Sequence, residues 1–108
     1  MAIVLNIVPN SENYHTLAGL RDQNGNPIAP AAVQIQISAT DKNNSQVLAA
    51  TVMPSVATNP DGTRTWGVSS AAGTWVLANA PWTIHMIVYD PTGATIYHDF
   101  LCMGTASD

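Results

Sequence analysis

Apolar and polar residues alternate with a period of two along much of this chain, the spacing that turns successive side chains to opposite faces of a strand. The cleanest run is Ala32–Ser38. Val33, Ile35 and Ile37 fall on one side, and Gln34, Gln36 and Ser38 on the other. Two further apolar runs flank Asp90-Pro91-Thr92-Gly93 inside the stretch Pro81–Met103. Proline suits the first central position of a type I turn, and Gly93 can take the left-handed conformation that closes it. This predicts a hairpin with a three-residue loop, in which Asp90 pairs with Ala94. Counting back, Val88 faces Ile96, Met86 faces His98, Ile84 faces Phe100 and Trp82 faces Cys102 on a strongly apolar side. The other, mixed side receives Tyr89/Thr95, Ile87/Tyr97, His85/Asp99 and Thr83/Leu101. A two-residue loop would set Asp99 opposite Ile84 on the apolar side, so the three-residue loop is preferred.

The same turn recurs at Asn59-Pro60-Asp61-Gly62, pairing Asn59 with Thr63 and Val56 with Trp66. Tyr14–Arg21 and Gln46–Met53 read as strands, and Thr63–Ser70 as a return strand. Asp22–Pro27 and Asp41–Ser45 are dense turn signals. Ala71–Ala80 reads as a connection across the end of a sandwich, and Gly104–Asp108 as a short polar tail. Ala2–Val8 is a β-branched and aliphatic run stopped by Pro9. It predicts either a first strand or an arm that pairs with another chain's sheet, because unpaired it would be an adhesive edge. About seven short strands, with turn signals roughly every 8 to 12 residues, predict a single all-β domain. The fold expected is an antiparallel β-sandwich of the immunoglobulin-like or prealbumin-like kind.

Composition narrows the partners. Apolar residues make up 46% of the 108, which excludes a disordered chain. Charged residues make up only 9%, against about 25% in ordinary soluble domains. The surface is therefore built from Ser, Thr, Asn, Gln and Ala, and costs little to desolvate against a neighbour. A net charge of −4, with Arg21, Lys42 and Arg64 as the fixed cations, argues against nucleic acid. The start, MAIVLNIVPN, lacks a basic segment and its apolar run is short for a signal peptide. No stretch reaches the length of a membrane-spanning helix, so no membrane partner is expected.

Candidate chemistry is sparse. Asp22, Asp41, Asp61 and Asp90 all lie in turns, where carboxylates accept hydrogen bonds from backbone amides. His85 with Asp99 is the one suggestive pair, and it can be read as an oriented histidine or as a cross-strand pair. No nucleophile accompanies it beyond Thr83, so the cross-strand pair is preferred. His98 is expected to be buried beside Met86 and Phe100, and His15 to lie on a distant strand. Asp22, Asn24 and Asn26 offer oxygen atoms for calcium, but a single carboxylate binds weakly. The lone Cys102 excludes an internal disulfide and is expected to behave as a small buried hydrophobe. Trp66 and Trp82 are assigned inward. Trp75 is expected to be partly exposed, as a lid on the core or an interface anchor. No cofactor, metal or catalytic activity is expected.

One resemblance can be attached to particular residues. Asp22, Gly25, Pro27 and Ile28, then Ala32-Val33-Gln34, then Asp61-Gly62-Thr63 resemble the entry of prealbumin-like and related immunoglobulin-like sandwich modules. The short chain and its Ala/Thr/Asn-rich surface also resemble small accessory proteins of tailed-phage particles. The first resemblance implies the fold; the second implies a structural role in a virion assembled in the host cytoplasm. The expectation is a capsid decoration or cement module bound to neighbouring coat subunits, as an assembly component or homo-oligomer. A neck or tail component, and a ligand-binding surface module such as an adhesin or carbohydrate-binding domain, are the alternatives. Candidate contact residues are Ile3, Val4, Leu5 and Ile7 in the N-terminal run, Ile87, Tyr97 and Leu101 on the mixed side, and Trp75.

Overall fold

Alternation sorts the chain into two layers. The computed structural model describes residues 3–106, and residues 1–2 and 107–108 lie outside them. Among the described residues the strands are β1 (Ile3–Ile7), β2 (Asn13–Ala18), β3 (Gln34–Thr40), β4 (Gln46–Val52), β5 (Ser55–Thr58), β6 (Arg64–Ser70), β7 (Trp82–Tyr89) and β8 (Ile96–Ala106). A five-stranded sheet runs β1-β8-β7-β3-β4 and a three-stranded sheet runs β2-β6-β5. The protein is thus an all-β sandwich. Every pairing is antiparallel except that of β1 with β8, which is parallel.

Ile35, Ile37 and Ala39 of β3, Ile84, Met86 and Val88 of β7, Cys102 of β8 and Ile7 of β1 form one wall of the core. Trp66 of β6 closes it from the small sheet, with Leu17 of β2 and Val68 of β6 half-buried beside it. At about 25 cal/mol per Å² of apolar area removed from water, this interior dominates the stability.

The four turns use one device. Asp22, Asp41 and Asp90 each accept two backbone or hydroxyl hydrogen bonds on one carboxylate oxygen, and Asp61 accepts the Thr63 amide and hydroxyl. Gly25, Asn44, Gly62 and Gly93 supply the positive φ that each turn requires. The Thr63 hydroxyl and amide hold the Asp61 carboxyl below the usual carboxylate range, with the Arg21 guanidinium at 3.2 Å adding to the effect.

Three expectations need correction. The β7–β8 register is displaced by two residues. Trp82 faces Gly104, Ile84 faces Cys102, Met86 faces Phe100 and Val88 faces His98. The loop takes in Ala94, so that the Asp90 amide donates to Thr95 O, and the register shifts again between Val88 and Tyr89. The two single-residue changes sum to two, so the apolar side stays inside. The displacement has a steric reason. It sets Trp82 against a glycine, whose added Cβ would lie 3.0 Å from Ile84 Cδ1 and 3.5 Å from Trp82 Cβ. Second, Gly104–Ala106 are not a tail but the end of β8, paired with β1. Third, Ser55 rather than Val56 faces Trp66. β1 is a strand of this chain's own sheet, the first of the two alternatives for Ala2–Val8. Ile7 is buried and Leu5 half-buried against the core, while the side chains of Ile3 and Val4 lie outside the described part of the structure.

Candidate functional site

The outer face of the five-stranded sheet carries several apolar side chains that the core leaves unused. Parity turns Thr83, His85, Ile87 and Tyr89 of β7 outward, beside Asp99, Leu101 and Met103 of β8 and Gln34, Gln36 and Ser38 of β3. Leu101 and Met103 are 53% and 49% exposed, and Ile87 is half-buried between Asp99 of β8 and Gln36 of β3. Val52, paired with Gln36 on β4, extends the apolar content to the far edge.

His85 and Asp99 do meet on this face. They lie on a diagonal, because Leu101 stands directly opposite His85 and Ile87 opposite Asp99. His85 Nδ1 is 3.0 and 3.1 Å from the two carboxylate oxygens. Both side chains are more than a third exposed, so the pair is worth about 0–1 kcal/mol and orients an imidazole in open solvent. Among the described residues, no three His, Cys, Asp or Glu side chains cluster to hold a metal ion.

One other candidate leaves this face. Tyr97 is exposed, but it is the residue skipped by the β7–β8 pairing and lines a groove at the open end of the sandwich. His98, expected in the core, is exposed there too, with its ring edge-on to Phe100 at 4.2 Å. The displaced register moves His98 from Met86 to Val88, at the groove end of the sandwich, where it stays exposed and the cost of burying an imidazole is spared. The groove measures about 910 Å³, and its apolar floor is Leu20, Ile28, Val33, Val88 and Phe100.

Trp75 is the clearest reversal. It is fully buried, so it is not an interface anchor. Short 3-10 turns at Ala72–Thr74 and Leu77–Asn79 bend the connection so that the indole enters the core between them. There it packs against His15 of the small sheet at 5.5 Å and Trp82 of the large sheet at 5.3 Å. Its Nε1 donates to Ser70 Oγ at 2.7 Å, and His15 Nε2 lies 2.8 Å from the same oxygen. With Nε2 unprotonated, the Ser70 hydroxyl donates to it; with Nε2–H, the hydroxyl turns to Asn13 O at 3.4 Å. Burial pulls the His15 pKa below its ordinary value and favours the neutral ring.

This Ser–His contact is a buried structural network that sequence reasoning missed, because His15 and Ser70 stand 55 positions apart. Ser70 is 4% exposed, and no carboxylate among the described residues orients His15. A nucleophile needs access and an oriented base, and this pair has neither. The Trp82 Nε1 beside it is buried without an acceptor among the described residues, which costs about 1–3 kcal/mol. Burial pushes the Cys102 thiol pKa up, and the Asp99 charge adds to that, so the thiol stays protonated at neutral pH.

No family model matches the chain, and neither a curated protein nor a solved structure matches it.

Proposed function

We propose that this chain is a non-enzymatic structural protein of a phage particle, a capsid decoration or cement module that binds neighbouring coat subunits. One observation carries the docking role. The exposed apolar residues Leu101 and Met103, with Ile87 between strands, share a sheet face whose charges are confined to the His85–Asp99 pair. A face of that kind is cheap to desolvate and does not repel a neutral partner surface. The particle assignment is supported by the short chain, its Ala/Thr/Asn-rich surface and the low charge content, 9% of residues. Particles purified from the source should contain the protein, and Leu101→Asp should be left out of them. Incorporation of Leu101→Asp at the wild-type level would reject the face as the contact.

The groove favours a second reading, a ligand-binding surface module. Tyr97, His98 and Phe100 offer aromatic surface beside Arg21, Asp22 and Gln23, a combination of stacking surface and hydrogen-bonding groups suited to sugars. A glycan-array signal abolished by Tyr97→Ala and kept by Leu101→Asp would favour it over the first.

A further inference from the structure

We infer that the free edge of β1 is a self-association site, where β1 of two copies pair antiparallel and join two five-stranded sheets into one of ten strands. The inference rests on the strand edge alone and not on the particle assignment. An edge strand presents a row of unpaired amides and carbonyls, and natural sheets blunt such edges with charge, proline, bulges or short length. β5 is four residues long, carries a register shift and lies between Pro54 and Pro60. β4 shifts register twice against β3. Neither β1 nor β2, which runs in unbroken register with β6, has these devices, and of the two β1 is the more aliphatic. Its five residues, Ile3–Ile7, run in unbroken register with β8 and include no charge and no proline.

The occupant follows from the order of residues. The segment reads Ile-Val-Leu-Asn-Ile, so antiparallel pairing about a two-fold axis through Leu5 keeps Ile3, Leu5 and Ile7 opposite aliphatic residues. It sets Leu5 opposite Leu5 of the partner subunit, Ile3 opposite Ile7 of the partner subunit, and Val4 opposite Asn6 of the partner subunit. No like charges face each other in this pairing.

The test uses the intact chain. Sedimentation velocity across a wide concentration range should show a monomer–dimer equilibrium that is little changed by salt, because the contact is main-chain and apolar. Hydrogen exchange at the amides of Ile3–Ile7 should slow as protein concentration rises. Asn6 is exposed, so Asn6→Lys should leave the fold intact and weaken dimerisation by about tenfold or more. Leu101→Asp should leave it unchanged, which separates failure of this contact from failure of the outer-face reading. A monomer at every concentration would overturn the inference. So would a dimer insensitive to Asn6→Lys, or β1 amides whose exchange is independent of concentration.

Discussion

The β5–β6 and β7–β8 hairpins start from nearly the same turn chemistry and end in different registers. In the first, the Asn59 amide donates to Thr63 O and Gly62 to Asn59 O, as the turn residues predict. A single register shift between Ser55 and Ala57 then sets Ser55, not Val56, against Trp66. In the second, one extra loop residue and one skipped strand residue act together and displace the pairing by two. The short hairpin ends just beyond its irregularity, so a single shift has few side chains to turn over. The long hairpin supplies a wall of the core for its whole length, and an odd displacement would send Asp99 and Leu101 inward. A strand buried on one face therefore tolerates irregularities in pairs.

The strongest way to break this comparison is to attack the wall itself. Ile84 is fully buried, and Ile84→Ala should cost about 2–5 kcal/mol in chemical denaturation. Thr83→Ala, one residue along on the outer face, should cost about 0.5 kcal/mol. Equal costs would mean that the two faces are not distinguished. The next largest effect tests the reason for the displacement. If Trp82 and Ile84 require a glycine across from them, Gly104→Val should destabilise by about 1–3 kcal/mol through overpacking. In the register expected from the turn alone, Gly104 lies beyond the pairing, and a β-branched residue there would be neutral or stabilising.

Acid should separate the two regions more gently. The folded chain holds His15 below its ordinary pKa of 6.5 by burial, so the unfolded chain takes up a proton first as pH falls. The stability contributed by neutral His15 is complete above about pH 6.5 and declines below it, by at most about 1.4 kcal/mol per pH unit. His15 is tied to Ser70 at the end of β6, so amides of β2 and β6 should lose exchange protection before those of β7 and β8. His15→Phe should remove this dependence between pH 7 and 5. Its persistence in that variant would assign it to another group.

Much of this layout was legible in the residues. Strict alternation placed Ile35, Ile37, Ile84 and Met86 inside, and the turn aspartates were readable because their role is local. The outer-face pair His85–Asp99 was found despite the displaced register, because a shift of two preserves the face and keeps a diagonal contact within reach. What escaped depends on long-range packing. Trp75 lies in an irregular connection, where no periodicity assigns a face. Gly104 signalled a close approach inside a strand and was read as the start of a tail. His15 gave no cue, since its partners Ser70 and Trp75 come from elements far along the chain.

The outer face of β7–β8 as the contact surface is the central claim, and the two hairpins supply its control. Leu101 on β8 and Val56 on β5 are 53% and 49% exposed, so exposure alone does not distinguish them. The decisive measurement is incorporation into particles of Leu101→Asp and Val56→Asp, each expressed beside the wild type and quantified by mass spectrometry. The account predicts a loss of about tenfold or more for Leu101→Asp, as expected for a charge buried at the centre of an apolar contact, and wild-type incorporation for Val56→Asp. Equal incorporation of the two variants, or a loss confined to Val56→Asp, would contradict it.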